Sequence, residues 1–192
     1  MRWLTADTHF SHFNIIKYCT RPFLSAGEMD AVLIQNWNEL VQPTDTVYHL
    51  GDFAFASPDR AKHILSCLNG HKILILGNHD RSGAKMKEWG FEEVHQSLQI
   101  DLENGIKANL SHYPYKGTPD PHGKAKFETK NLKDDGRWLL NGHVHTSWVF
   151  RPALYKNGMI NVGVDKWNFR PVSENVIIDI INKHPSGFTK QE

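Results

Sequence analysis

The sequence is poor in cysteine: Cys19 and Cys67 are its only two, and they form no CxxC pair. That excludes a thiolate zinc cage and a disulfide-stapled scaffold, and it reads as two reduced structural thiols in a reducing compartment. Long apolar runs are lacking as well, none approaching the ~20 residues needed to cross a bilayer. The opening stretch "MRWLTADTHF" goes straight into a strand-like run without the apolar centre of a secretory signal. A cytoplasmic protein without membrane association is therefore expected. Charge of one sign is lacking too: 22 Lys+Arg against 21 Asp+Glu leave +1, too little to track duplex nucleic acid. There is no internal repeat, low-complexity tract or long linker. The 192 residues suit one domain, expected over 1–182, with a polar tail at 183–192.

Histidine is what the sequence has in excess. Twelve are present, with tight pairs at His9/His12 and His143/His145. Imidazole is the commonest transition-metal ligand, so the places of these histidines matter.

Hydrophobic periodicity predicts strands over Trp3–Ala6, Thr46–Leu50 and "KILIL" (72–76), alternating with helices over Glu28–Leu40, Pro58–Leu68 and Ala84–Trp89. Ser57 is the expected N-cap of the second helix. Trp37 and Trp89 fall at apolar helical positions and are expected in the core. The second half reads as short strands: Val94–Asp101, Ile106–Leu110, Trp138–Leu140, Val149–Tyr155 and Met159–Val164. Tyr113–Lys130 is a long loop, and Asn175–Ile181 a final strand or helix. Strands alternating with helices, then a run of strands, predict an α/β fold with two packed sheets flanked by helices.

Five short segments follow apolar runs: "DTH" (Asp7, His9), "GD" (Asp52), "GNHD" (Asn78, His79, Asp80), "SHYP" (His112) and "GHVH" (His143, His145). A turn built only for turning has no need of the histidines. Loops at one edge of a sheet converge, so these segments can meet. Within "DTH" and "GHVH" the polar residues are two apart, a spacing that extended backbone points to one face. Carboxylates, imidazoles and an amide carbonyl without cysteine suit Mn²⁺, Fe²⁺/Fe³⁺ or Zn²⁺; the cofactor expected is Mn²⁺, with Fe, Zn or Ni as alternatives. The set exceeds what one ion can use and fits two divalent ions.

The set D-x-H, GD, GNHD, H and GHxH resembles the calcineurin-like metallophosphoesterase superfamily over nearly the whole chain. The wording "DTHFSHFNIIKYCTRPF", "LIQNWNELV", "DTVYHLGDF" and "NVGVDKWNFRPVS" is similar to its small bacterial and phage phosphoesterase branch. The resemblance implies a four-layer α/β sandwich with a dinuclear centre at the strand ends. It implies one metal on Asp7, His9 and His145, the other on Asn78, His112 and His143, and Asp52 bridging both. His79 would be a catalytic imidazole rather than a ligand, oriented by Asp80. The implied reaction is hydrolysis of a phosphate ester by a metal-bridging hydroxide. Small phosphodiesters, cyclic nucleotides among them, are the expected substrates, with phosphomonoesters as the alternative. "GDFA" lacks the charged residues that follow GD in the protein Ser/Thr phosphatases, which argues against a protein phosphatase.

A non-catalytic scaffold on the same fold would be expected to lose His79 or several ligands, and here each is filled. A nuclease tracking duplex DNA finds no support in the charge. His12, Asn14 and Arg21, in the loop after "DTH", are candidates to face the substrate, with a helix cap as their alternative. Trp167–Arg170 is a candidate rim, and Lys116, Lys124, Lys126 and Lys130 are candidate attractors of an anion. His49 is expected in the core. His63, His71, His95, His122 and His184 are expected to be structural or on the surface.

Overall fold

The computed structural model describes residues 1–103, 105–119, 129–153 and 157–184. His122, Lys124, Lys126, most of the tail and the end of the expected 149–155 strand lie outside them. The chain folds into two five-stranded mixed sheets with helices. In the first, β1 (Arg2–Thr5), β2 (Thr46–His49), β3 (His71–Ile75) and β4 (Glu93–His95) run parallel, and β10 (Val172–Ser173) pairs antiparallel with β1. In the second, β6 (Lys107–Ser111), β7 (Trp138–Asn141) and β9 (Gly158–Asn161) run parallel. The antiparallel strands β5 (Ser97–Asp101) and β8 (Phe150–Pro152) form its edges.

Side-chain alternation sorts each strand between layers. Leu4, Tyr48 and Ile75 meet Leu110, Trp138, Leu140 and Ile160 between the sheets. Trp3, Val47 and Leu74 point the other way, beneath the helices α2 (Ala26–Leu40), α3 (Pro58–Ser66) and α4 (Gly83–Trp89). Trp37 and Trp89 are buried there, as their spacing predicts. On the far face of the second sheet, Leu139 and Met159 are covered by Tyr115, Leu132, Trp148 and Ala153.

Local chemistry sets the boundaries. The Ser25 Oγ accepts from the Glu28 N–H (3.1 Å) while Glu28 Oε2 accepts from Leu24 N–H (2.7 Å). This reciprocal cap starts α2 at Ala26, two residues earlier than the apolar period suggests. Ser57 caps α3 as expected, with Pro58 in its first turn. The expected 94–101 strand is two strands, because at Gln96 the chain leaves the first sheet for the second. The final segment is the helix α5 (Glu174–Lys183), capped by Ser173, with Ile177 and Ile181 closing the inter-sheet core. The six-residue helix α1 (Phe13–Tyr18) was not expected, being too short to show a period. No helix among the described residues is long and apolar enough to cross a membrane.

Candidate metal centre

The carboxyl ends of β1, β2 and β3 in one sheet face those of β6 and β7 in the other. A parallel bridge from Ala6 to Gly163 joins the sheets beside them. The backbone turns sharply where each strand stops. Asp7 (φ 56°), His9 (49°), Asp52 (59°), His143 (70°) and His145 (43°) all sit in the left-handed region. Such positions cost non-glycine residues free energy and collect at functional sites. This corrects the expectation of extended backbone at "DTH" and "GHVH": left-handed turns bring the side chains together there. Gly51 shows how tight the turns are. A Cβ on it would lie 2.6 Å from His112 Nδ1 and 2.7 Å from the Gly77 backbone.

Two groups of buried ligand atoms result, Asp7–His9–His145 and Asp7–Asp52–His112, each able to hold a metal ion. Asp7 belongs to both. Asp52 also spans them, since its Oδ2 is 3.5 Å from His9 Nε2 and 3.5 Å from His112 Nε2. Asn78 Oδ1 lies 3.2 Å from His112 Nε2. His143 donates its backbone N–H to Asp7 (2.9 Å to Oδ2), and its ring packs 5.1 Å from that of His112.

The donor chemistry fits a cation. Burial holds the His112 ring down to about 4, so it is neutral near pH 7 and carries one proton. Its Nδ1 is 2.8 Å from the Leu50 carbonyl, which claims that proton. The Nε2 lone pair then faces Asn78 Oδ1 at 3.2 Å and Asp52 Oδ2 at 3.5 Å. His9 Nε2 is buried without a hydrogen-bond partner, and burial holds its ring neutral as well. Burial pushes Asp7 up to about 7 despite His145 nearby, and raises Asp52 too. Buried carboxylates gathered with neutral imidazoles, their charge disfavoured by burial, are what a divalent cation satisfies.

Asp165 is the residue that sequence reasoning missed. Its Oδ2 is 2.9 Å from His145 Nδ1, which leaves Nε2 for the cluster. Burial opposes charge on His145, but the Asp7 and Asp165 carboxylates hold it well above its ordinary value. Arg21 in turn holds Asp165 through two hydrogen bonds (2.8 and 3.0 Å) and donates to the carbonyls of Asp7 (2.7 Å) and Thr8 (3.0 Å). Arg21 is buried, so it braces the loop rather than facing a substrate, a correction to the expectation above. The signal was available, since Asp165 follows the apolar run of β9 as the other site residues follow theirs.

Asp80 is corrected likewise. Its carboxylate accepts the backbone N–H groups of Asp52 (2.9 Å), Phe53 (2.9 Å) and Gly77 (2.8 Å), clamping two loops rather than steering the His79 ring. His79 is exposed, its own N–H donated to Asp52 Oδ1 (2.8 Å) and its ring centroid 5.4 Å from that of His9. His12 reaches His9, Nδ1 to Nδ1 at 3.2 Å. Asn14 is an exposed position on α1, away from these contacts. The Trp167–Arg170 segment is tied elsewhere: Trp167 donates to the Asn161 carbonyl, Phe169 packs on Phe23, and Arg170 pairs with Glu39. Among the lysines, Lys130 lies 5.8 Å over the Tyr113 ring, and Tyr113 packs 5.2 Å from His143.

His49, behind the cluster, gives a test of the electrostatics. Its Nε2 meets Thr8 Oγ (2.9 Å), which itself donates to the Phe53 carbonyl, so Nε2 carries the proton and Nδ1 is bare. Burial holds the ring down to about 3. The folded value lies below the unfolded one, so the unfolded chain binds the extra proton and stability falls as pH drops from about 6.5 toward 3. In chelator, His49→Gln should lose roughly 2–3 kcal/mol less stability than the wild type between pH 7 and 4.5. Urea titrations at both pH values measure this, and equal losses would place the titration elsewhere.

Fold and cluster together define an α/β protein of two mixed sheets carrying a buried histidine–carboxylate centre between opposed strand ends. No family model matches the chain. It is 36% identical over 185 residues to the uncharacterized protein MJ1445 of Methanocaldococcus jannaschii, spanning 94% of this chain and 91% of that one. It is 32% identical over 198 residues to the gene 66 protein of Mycobacterium phage L5, spanning 94% and 93%. The chain belongs to the same family as MJ1445 and the phage protein. Among solved structures, the protein of unknown function AQ665 from Aquifex aeolicus is similar at a TM-score of 0.70 and 31% identity, over 94% of this chain and 99% of that one. A novel archaeal phosphodiesterase is more distant, at a TM-score of 0.47 and 22% identity over 84% and 82%, a likeness that carries no argument about function.

Proposed function

We propose that the protein is a metal-dependent phosphoesterase whose reaction centre is this cluster. The observation that carries the reading is the meeting of ligand atoms: His9 Nε2 and His112 Nε2 each lie 3.5 Å from Asp52 Oδ2, and His9 Nε2 is buried without a hydrogen-bond partner. Asp7, His9, Asp52, His112 and His145 would hold the ions, with Asn78 and His143 beside them. Bound divalent ions would supply charge neutralisation for phosphate oxygens and acidify water near neutral pH. The exposed His79 is free to donate a proton to a leaving oxygen, its backbone fixed on Asp52. The resemblance of the five segments to calcineurin-like metallophosphoesterases supports two ions, with Mn²⁺ foremost.

Within this reading the substrates are small phosphodiesters, nucleotides included. A monoester dianion gains most from several cationic clamps, a diester from a proton donor. Arg21 is committed to Asp165, while Arg81 lines the cleft beside His79. Elemental analysis should find two divalent ions per chain, and chelation should abolish ester hydrolysis until Mn²⁺ is restored. Hydrolysis untouched by chelation would overturn the proposal. With matched aryl esters, a kcat/KM at least roughly tenfold higher for the monoester, about 1.4 kcal/mol, would overturn the diester preference.

A further inference from the structure

Among the described residues, the large aromatic side chains left exposed are Phe13 (49%), Tyr18 (72%) and Phe55 (57%). Single exposed apolar side chains need no explanation, but a gathered set marks a contact surface. Two of them, Tyr18 and Phe55, meet at His12, from the two segments that follow "DTH" and "GD". Phe55 stacks on His12 with ring centroids 4.5 Å apart and planes at 21°. Tyr18 meets the edge of His12 at 6.4 Å, and Phe55 lies 5.9 Å from His79. Phe13 follows His12 directly and carries the Lys17 ammonium 5.3 Å over its ring.

The cleft here has a volume of about 420 Å³, with Phe55, Asn78, His79 and Arg81 in its walls. That is the size of a small-ligand site. Packing gains nothing from leaving Phe55 in water, and His12 is held in place by His9 beneath it. A rigid π-face beside an exposed arginine is the surface on which nucleobases stack, on the aromatic ring or on the planar guanidinium.

We propose that Phe55, backed by His12, is a shelf for the nucleobase of a nucleotide ester whose phosphate lies at the His79 end of the cleft. The inference rests on the phosphoesterase reading above and names its substrate class. An alkyl substituent would gain little from a flat pair of rings. The His12 ring links Phe55 (centroids 4.5 Å apart) to His9 (5.2 Å).

The test is calorimetric binding of adenosine 5′-monophosphate, phenyl phosphate and methyl phosphate to the Mn²⁺-loaded full chain, its Phe55→Ala variant and its Phe55→Trp variant. The wild type should bind adenosine 5′-monophosphate at least roughly tenfold more tightly than methyl phosphate. Phe55→Ala should shrink that ratio about tenfold, and Phe55→Trp should keep it. Equal affinities for the two in the wild type would overturn the shelf, as would Phe55→Ala leaving the ratio unchanged. Phenyl phosphate matching adenosine 5′-monophosphate would overturn the nucleobase in favour of any small aryl group. Hydrolysis of the matched aryl mono- and diesters, followed in parallel, separates the two readings. Hydrolysis of either with equal affinities overturns the shelf alone, while hydrolysis of neither overturns the phosphoesterase reading, and with it this one.

Discussion

Asp52→Asn is expected to empty the centre of metal while making the metal-free protein more stable. In the wild type Asp52 Oδ1 accepts the His79 N–H, and Oδ2 faces the Nε2 atoms of His9 and His112. An asparagine whose oxygen kept the His79 bond would turn its amide N–H groups toward those two lone pairs. The acceptors would then satisfy one another internally, and the site would lose its affinity for a cation. A buried carboxylate whose charge is disfavoured by burial would also be gone. Metal affinity should fall at least roughly 10²-fold, and the chelated variant should unfold at or above the wild-type midpoint by about 1–2 kcal/mol. Elemental analysis and denaturation in chelator read the two effects separately. A variant that keeps wild-type metal content would show that Asp52 does not face the ions.

Neighbouring residues in "GNHD" should respond in opposite ways. His79→Ala removes an exposed ring that is no part of the tight ligand groups. Metal content and stability should hold while turnover drops by ~10²–10⁴-fold, the scale of a general acid–base group. Loss of metal in that variant would make His79 a ligand. Asp80→Ala removes the acceptor of three backbone N–H groups and should cost about 3–5 kcal/mol in stability. If Asp80 acted chiefly on the His79 ring, its loss would copy His79→Ala with little change in the unfolding midpoint. The contrast separates an organiser of the loops from an organiser of the imidazole.

Much of the fold was legible because it is written in periodicity. Alternation in "TVYHL" and "KILIL" and the helical spacing of Met29, Leu33 and Trp37 each assign a side chain to a layer, and the layers form as those spacings require. The segment over 94–101 misled because nothing local distinguishes one strand from two at Gln96. Only the separation of the sheets decides it. The outer face of the second sheet was equally silent, since Tyr115 and Leu132 lie in segments with no period to read.

The site divides along a similar line. By itself the sequence determined which polar side chains stand at the strand ends, because a run of apolar residues ending in Asp or His marks a strand end whether or not its partners are known. That rule marks Asp7, His9, Asp52, His112, His143 and His145 as candidates, with Asn78 beside His79, and applied once more it reaches Asp165. Only the tertiary structure decided what each atom faces. Asp80 sits in a marked segment and Arg21 in the loop after one, yet their charged groups are turned onto backbone and onto Asp165. The reason is that left-handed turns leave N–H groups and carbonyls unpaired between loops distant in sequence. Buried polar groups must be answered by whichever charged side chain reaches them, and that depends on the meeting of two sheets rather than on any local pattern.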